Sequence, residues 1–279
     1  METLRQYYNS LLSDLYSPEE CATLYRTFVS EVTGMAANAT YFCKDSDFTQ
    51  NQITELQTIA QKLAMGMPYQ HLLGWTEMNG LRWLVSPDVL IPRPETAEMI
   101  GMISRQTSSP RNILDWCTGS GFIAISLALR FPKAGIDAAD ISEKALVVAR
   151  QNALLHQAAV RLMREDALNP SPSLMQKKYD LIVSNPPYIC NSEQTGMPIQ
   201  VKRYEPAIAL FVPDSDPLLF YRHIAAYATT ALNPGGTLWF EINERFGAET
   251  CQMLEEAGWH ATLLRDMAGK DRFVCAQNS

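Results

Sequence analysis

No stretch of this chain approaches the ~20 uninterrupted apolar residues that a membrane-spanning helix needs, so no such span is expected. The cysteines Cys21, Cys43, Cys117, Cys190, Cys251 and Cys275 contain no Cys-x-x-Cys pair. That scatter argues against a zinc site and against a disulfide framework, and five of the six thiols read as buried and reduced. A basic excess is lacking as well. The net charge is −7; residues 1–90 hold five Lys/Arg against ten Asp/Glu, and residues 91–279 hold 18 against 20. Affinity for a nucleic-acid backbone comes largely from neutralised phosphates, so neither part is a footprint for DNA or RNA. The opening Met1-Glu2-Thr3-Leu4-Arg5 carries an early acid and no apolar signal region, which predicts a cytoplasmic protein. There is no internal repeat and no low-complexity tract.

What is present describes an ordinary globular protein. The 279 residues are 47% hydrophobic and 19% charged, enough for a sizeable core and for two domains. The first part reads as helices. Leu4, Tyr8, Leu11, Leu12 and Leu15 share a helical face. Ser17-Pro18-Glu19-Glu20 is a capping box with proline at the first helical position, and Gly34 ends the helix that follows. Thr49 and Gln52 open a third helix, stopped by Gly66 and Pro68.

From residue 72 the period changes to two. Leu81, Trp83 and Val85 alternate after Asn79-Gly80, a strong hairpin signal, and Pro92-Arg93-Pro94 closes this section as a linker. Trp75 and Trp83 read as core rather than recognition surface. From residue 111 apolar strands alternate with helical patterns, which predicts an α/β fold with a parallel sheet. The seven strands expected are Asn112–Cys117, Gly135–Ala139, Val160–Arg164, Tyr179–Ser184, Thr237–Ile242, His260–Leu264 and Arg272–Ala276. Between Ile189 and Asp216 there is little periodicity, and this stretch reads as a lid or substrate-contact loop, with a helix starting at Asp216-Pro217.

Two motifs carry chemistry. The strand Tyr179–Ser184 runs into Asn185-Pro186-Pro187-Tyr188. Proline offers no N–H and forces the preceding residue into an extended conformation, so this strand end presents bare carbonyl oxygens. Asn185 adds a side-chain carbonyl and Tyr188 an aromatic face. Two acceptors beside one ring suit a planar –NH2 group that is to be alkylated. The second motif is a strand entering the turn Cys117-Thr118-Gly119-Ser120-Gly121, with a helix directly behind. Gly119 and Gly121 allow positive φ and close backbone approach, and a helix N-terminus offers unpaired N–H groups.

Asp140, at the end of the second strand, is placed to accept from both ribose hydroxyls of a nucleoside, and Asp166, with Ala167 beside it, to meet an adenine amino group. Gly119-Ser120-Gly121-Phe122-Ile123-Ala124 also fits a dinucleotide fingerprint, so these residues alone leave NAD and S-adenosylmethionine both open. Asp115 favours the latter, since a carboxylate there repels a pyrophosphate but meets an amino-acid ammonium. The Asn-Pro-Pro-Tyr motif favours it too, because hydride transfer has no use for it.

The chain resembles the class I S-adenosylmethionine-dependent methyltransferases, and within them the HemK/PrmC family, which methylates a glutamine side-chain nitrogen in peptide chain release factors. The resemblance rests on Tyr69-Gln70-His71-Leu72-Leu73-Gly74, Leu81-Arg82-Trp83, Leu90-Ile91-Pro92-Arg93-Pro94-Glu95-Thr96, Ser184-Asn185-Pro186-Pro187-Tyr188-Ile189 and Arg203-Tyr204-Glu205-Pro206. It implies a Rossmann-like, mostly parallel seven-stranded methyltransferase domain over 96–279. A helical substrate-recognition domain over 1–70 precedes it, joined by a β-hairpin and linker over 71–95. Two departures stand out. Trp116 and Cys117 replace a small apolar residue and a glycine, and cysteine tolerates positive φ poorly; Asn243 replaces a glycine.

The resemblance further implies an acting monomer, with S-adenosylmethionine as methyl donor, the release factor as protein substrate, and no nucleic-acid, membrane or metal partner. The donor would be held by Asp115, Cys117, Thr118, Gly119, Ser120, Gly121, Asp140, Asp166, Ala167 and Asn185. On the substrate side stand Asn185, Pro186, Pro187 and Tyr188; Arg93 and Glu95 either salt-bridge the linker to the catalytic domain or line the entrance for a protein loop, and Glu205 shares that ambiguity.

Asn185, Pro186 and Tyr188 are the expected catalytic groups. The Asn185 side-chain oxygen and the Pro186 carbonyl each accept one amide N–H, positioning that can supply ~7–11 kcal/mol, and they stabilise charge developing on nitrogen. The Tyr188 face packs on the amide and adds ~0.5–2 kcal/mol of cation–π attraction. Two other readings stay open: an adenine-N6 or cytosine-N4 nucleic-acid methyltransferase, and a donor-binding scaffold without chemistry.

Overall fold

The computed structural model describes residues 3–278, so the reading of Met1-Glu2 lies outside the described residues. The described chain packs as two units, one of residues up to Trp75 with Pro198–Tyr204, the other of Thr76–Met197 with the residues from Glu205 onward.

In the first unit the helices begin where their capping chemistry requires. Thr3 with Gln6, Ser17 with Glu20, and Thr49 with Gln52 form reciprocal capping boxes ahead of helices Leu4–Leu12, Pro18–Thr33 and Gln50–Ala64. Each box satisfies two orphan N–H groups, and such a cap is worth about 1 kcal/mol. Gly34 ends the second helix at φ +73°. The three apolar faces close over Tyr8, Leu12, Phe28, Val29, Leu56 and Leu63, all fully buried. The Tyr8 hydroxyl donates to the Leu56 carbonyl at 2.9 Å, so the ring carries no unpaired polar atom into this core. A short helix, Tyr69–Leu73, follows and takes the first two residues of the segment expected to have period two from residue 72.

The strands are β1 (Trp75–Met78), β2 (Leu81–Leu84), β3 (Asn112–Trp116), β4 (Gly135–Asp140), β5 (Val160–Arg164), β6 (Tyr179–Ser184), β7 (Ile189–Cys190), β8 (Phe211–Val212), β9 (Leu232–Glu241), β10 (Trp259–Arg265) and β11 (Asp271–Asn278). β1 and β2 form the expected hairpin, with Asn79 at φ +54° and Gly80 at φ +71°, the left-handed pair that a type I′ turn demands. Trp83 is fully buried beneath it, edge-on to Phe122 at 4.8 Å between ring centres, while Trp75 is only half-buried.

Seven strands form one sheet in the order β10-β11-β9-β6-β3-β4-β5. β3, β4, β5, β6 and β9 are parallel, and β11 runs antiparallel to both β9 and β10. The sheet is buried on both faces. Leu114, Trp116, Ile182 and Phe240 pack with helix Leu219–Ala231 on one side, and Ile113, Leu181, Val183 and Trp239 with helix Phe122–Arg130 on the other. That two-sided burial is why these strands read as near-continuous apolar runs. The chain leaves β3 toward β4 and β5, then returns across β3 to β6. β3 is therefore the point where the direction of winding reverses, and a crevice opens at such a point beyond the carboxyl ends of the strands.

Three expectations need correction. Pro92-Arg93-Pro94 does not simply end a linker, because Pro94 is the first residue of helix Pro94–Gln106, whose Met99, Ile100 and Ile103 are buried. The helix expected at Asp216-Pro217 begins at Leu219. The stretch from Ile189 to Asp216 is not a featureless loop. It holds β7 and β8, paired in parallel, the turns Asn191–Gly196 and Ala207–Ala209, and helix Ile199–Tyr204. That helix packs within the first unit, where the Tyr204 hydroxyl donates to the Met65 carbonyl at 3.0 Å.

Candidate active site

At the end of β3, Cys117 adopts φ +58° despite its side chain, a conformation that costs roughly 1–2 kcal/mol. The turn behind it offsets that strain. Thr118 N–H donates to the Ala139 carbonyl at 3.0 Å, Gly121 N–H to the Thr118 carbonyl at 2.9 Å, and Gly119 N–H to Asp140 Oδ2 at 2.9 Å. Any side chain at Gly121 would be strained. At φ +82° a Cβ there would stand 2.8 Å from Ile125 Cδ1 and 3.2 Å from Ala149 Cβ. At Gly119, by contrast, a Cβ would meet nothing within 4 Å, so the backbone there borders open space.

That space is a cavity of about 280 Å³ at the carboxyl ends of the strands. Of the residues expected from sequence, Cys117, Thr118, Gly119, Ser120, Asp140, Asp166, Ala167, Asn185, Pro187 and Arg93 line it. Asp115, Gly121, Pro186, Tyr188, Glu95 and Glu205 do not: they stand behind the wall or beside it. Much of the remaining wall is apolar, including Val89, Leu90, Ile141 and Phe220.

The polar part of this region is acidic. Asp115 is fully buried; its Oδ2 accepts from the Thr118 hydroxyl at 2.5 Å and from Ala124 N–H at 3.1 Å, while Oδ1 has no partner among the described residues. Burial, reinforced by the nearby Asp140, raises the Asp115 carboxyl to about 7. Burial also raises Asp140, whose oxygens accept from Gly119 and Ser142 N–H. Asp166 spends Oδ1 on Leu168 N–H at 2.9 Å. Arg93 is the single cationic side chain on the wall among the described residues. Its guanidinium is paired at 2.5 Å with Glu205, which also accepts from Ile91 N–H. Burial pushes the Glu205 carboxyl up even with Arg93 beside it. Glu95 sits in the first turn of helix Pro94–Gln106 and takes no part in that pair. A pyrophosphate would meet Asp140, Glu165 and Asp166 on this wall with no cation paired to them among the described residues, whereas a cationic nucleoside finds acceptors. The orphaned Asp115 Oδ1, behind the wall, fits an amino-acid ammonium met through water, and the open face of Gly119 fits a close backbone approach.

The second motif leaves β6 directly beside this wall. Asn185 Nδ2 donates to Thr96 Oγ1 at 3.3 Å, and the Thr96 hydroxyl donates to Glu241 Oε2 at 2.6 Å. The Tyr188 hydroxyl donates to Glu241 Oε1 at 3.2 Å, and burial raises that phenol. No hydrogen bond among the described residues engages Asn185 Oδ1 or the Pro186 carbonyl oxygen.

Sequence reasoning missed Thr96 and Glu241. Glu241 had a signal, a lone acid closing the apolar run Leu238-Trp239-Phe240, while Thr96 stood in a quoted motif without a role. Asn243, noted only as a departure, has a clear place. Its Nδ2 donates to the Tyr188 carbonyl at 3.1 Å and to Glu193 Oε2 at 3.0 Å, and its Oδ1 accepts from Arg245 N–H. It clamps the backbone immediately after the prolines.

The model of the family described as "Methyltransferase small domain" matches residues 97–201. A release factor glutamine methyltransferase from Bacteroides thetaiotaomicron is 40% identical over 99% of this chain and 99% of its own length. A second, from Flavobacterium psychrophilum, is 42% identical over 80% of each chain. Among solved structures, a methyltransferase from Pyrococcus furiosus superposes with a TM-score of 0.55 at 17% identity, covering 78% of this chain and 98% of that one, which shows a shared fold.

Proposed function

The chain belongs to the release factor glutamine methyltransferases, and from that membership we propose that it transfers the methyl group of S-adenosylmethionine to the side-chain amide nitrogen (N5) of the glutamine in the Gly-Gly-Gln loop of a peptide chain release factor. The observation that carries this reading is the half-occupied carboxamide of Asn185. Its nitrogen is engaged by Thr96, its oxygen has no hydrogen-bond partner among the described residues, and the residue lines the cavity.

The methyl donor supplies, when bound, an electrophilic methyl group on a sulfonium. Thr118, Gly119 and Ser120 offer it backbone, Asp140 and Asp166 accept from its hydroxyls and base, and Asp115 balances its ammonium. Cys117, Gly121 and Ala167 shape the turn and floor. A glutamine amide is a poor nucleophile because its lone pair is delocalised into the carbonyl. Asn185 Oδ1 and the Pro186 carbonyl accept the two amide N–H groups, restrain the nitrogen and stabilise the positive charge that develops on it. Pro187 holds this turn extended, and Tyr188, fixed through its hydroxyl and carbonyl, stiffens it. The amide proton becomes acidic only as the new bond forms, so no histidine or carboxylate base is needed. Arg93 with Glu205, and Glu95 near them, border the entrance for the protein loop.

In this reading residues 1–70 recognise the release factor, 71–95 join them to the catalytic part over 96–279, and the enzyme acts as a cytoplasmic monomer. Transfer to adenine or cytosine is not favoured: the relatives carry the glutamine activity in their names, and among the described residues the cavity wall has no unpaired cation to neutralise a phosphate. Incubating purified release factor with the enzyme and S-adenosylmethionine should add the mass of one methylene, localised by tandem mass spectrometry to the glutamine of the Gly-Gly-Gln loop. Transfer to RNA or DNA with none to release factor would reverse this assignment.

A further inference from the structure

We infer that Thr96 and Glu241 are positioning residues for methyl transfer, and that together they decide which end of the Asn185 carboxamide faces the cavity. This rests on the reading of Asn185 as the acceptor for the substrate amide.

The argument is a count of hydrogens. An ionised carboxylate has none to give, and a hydroxyl has one. Glu241 accepts from Thr96 at 2.6 Å and from Tyr188 at 3.2 Å, so both hydroxyl protons are committed to it. Thr96 Oγ1 can then only accept, and the only end of Asn185 able to donate is Nδ2, found at 3.3 Å. Oδ1 is thereby turned away from Thr96 and kept as an acceptor. In the flipped carboxamide two oxygens would face each other with no proton between them. The sheet enforces the juxtaposition: Ser184 is in register with Phe240, so Asn185 and Glu241 follow side by side on neighbouring strands, and Thr96 reaches them from the first turn of helix Pro94–Gln106. Glu241 is 1% exposed, so bulk solvent does not compete for these partners. Burial raises the Glu241 carboxyl and Glu95 adds to this, while the hydrogen bonds from Thr96 and Tyr188 and the charge of Arg272 pull it back toward the ionised form.

The test uses Thr96→Val, which keeps the volume and deletes the hydroxyl, Thr96→Ser, which restores the hydroxyl, and Glu241→Gln. Turnover is measured with purified release factor, donor affinity by calorimetry, and the Asn185 side-chain NH2 signal by 1H–15N NMR, identified from its loss in Asn185→Asp. Thr96→Val and Glu241→Gln are expected to lower kcat about ten- to hundredfold with donor Kd within about threefold of wild type, the scale of a mispositioned reactive group. Thr96→Ser should keep kcat within about threefold, and the Asn185 signal should shift in Thr96→Val but not in Thr96→Ser. Wild-type turnover by Thr96→Val, equal impairment in Thr96→Ser, or an unmoved Asn185 signal would overturn the inference. If the wild-type enzyme itself leaves release factor unmethylated, the functional reading falls instead, and the NMR comparison still decides the orientation.

Discussion

Asp115 shows what burial does to one carboxylate. With its folded carboxyl raised to about 7, against an unfolded value near 3.9, the stability cost of ionising it is absent in acid and complete once the pH has risen through about 7. An ammonium held in the cavity in front of it recovers part of that cost, because it favours the charged form. Donor affinity should therefore improve by up to about tenfold per pH unit below 7 and level off above it. Calorimetric titration of wild type and Asp115→Asn between pH about 5.5 and 7.5 checks this; parallel profiles would remove Asp115 from the donor site. Such roles were partly legible in the sequence. The acid at a strand tip before a glycine turn was visible, but its isolation from the cavity surface was not, since burial depends on the helix folded over it. Cys117 was legible as a left-handed position occupied by the wrong residue. Asn243 was not, because its partners, Tyr188 and Glu193, lie on a segment far away in the chain.

At the scale of elements, the strands were readable because two-sided burial writes itself as apolar runs, and the helices of the first unit because capping boxes are local. Helix Pro94–Gln106 is not legible, because Pro-x-Pro at its start signals a linker's end as readily as a helix. The elements between Ile189 and Asp216 are two-residue strands and single turns, too short to leave a period. One tie between elements is open to direct measurement. Asp137 on β4 accepts from Arg161 on β5 at 2.7 and 2.8 Å, from Lys177 at 2.9 Å and from the Tyr179 hydroxyl at 2.6 Å. Burial works against its charge, but Arg161, Tyr179 and Lys177 outweigh it and hold the carboxyl below its ordinary value. Its contribution is present above the unfolded pKa near 3.9 and is lost as the pH falls through the lower folded value. Asp137→Asn should cost about 1.5–3 kcal/mol at pH 7, with the gap to wild type narrowing below pH ~4. Denaturant unfolding at both pH values measures it, and a gap independent of pH would mean the carboxylate charge is not what ties the strands.

Across the whole molecule, an acidic chain presents an apolar cavity whose carboxylates suit a cationic nucleoside and whose rim ends in an amide acceptor. The charge balance and the fold class were legible from composition and pattern. The Glu241 network was not, since it joins a helix and two strands that no local pattern relates. All of it converges on Asn185, and the most direct measurement is a paired one on Asn185→Ala: turnover of release factor and the dissociation constant for S-adenosylmethionine. The account predicts turnover falling by at least about a thousandfold, with donor affinity within a few-fold of wild type. A parallel loss of donor affinity, or turnover that survives, would contradict it.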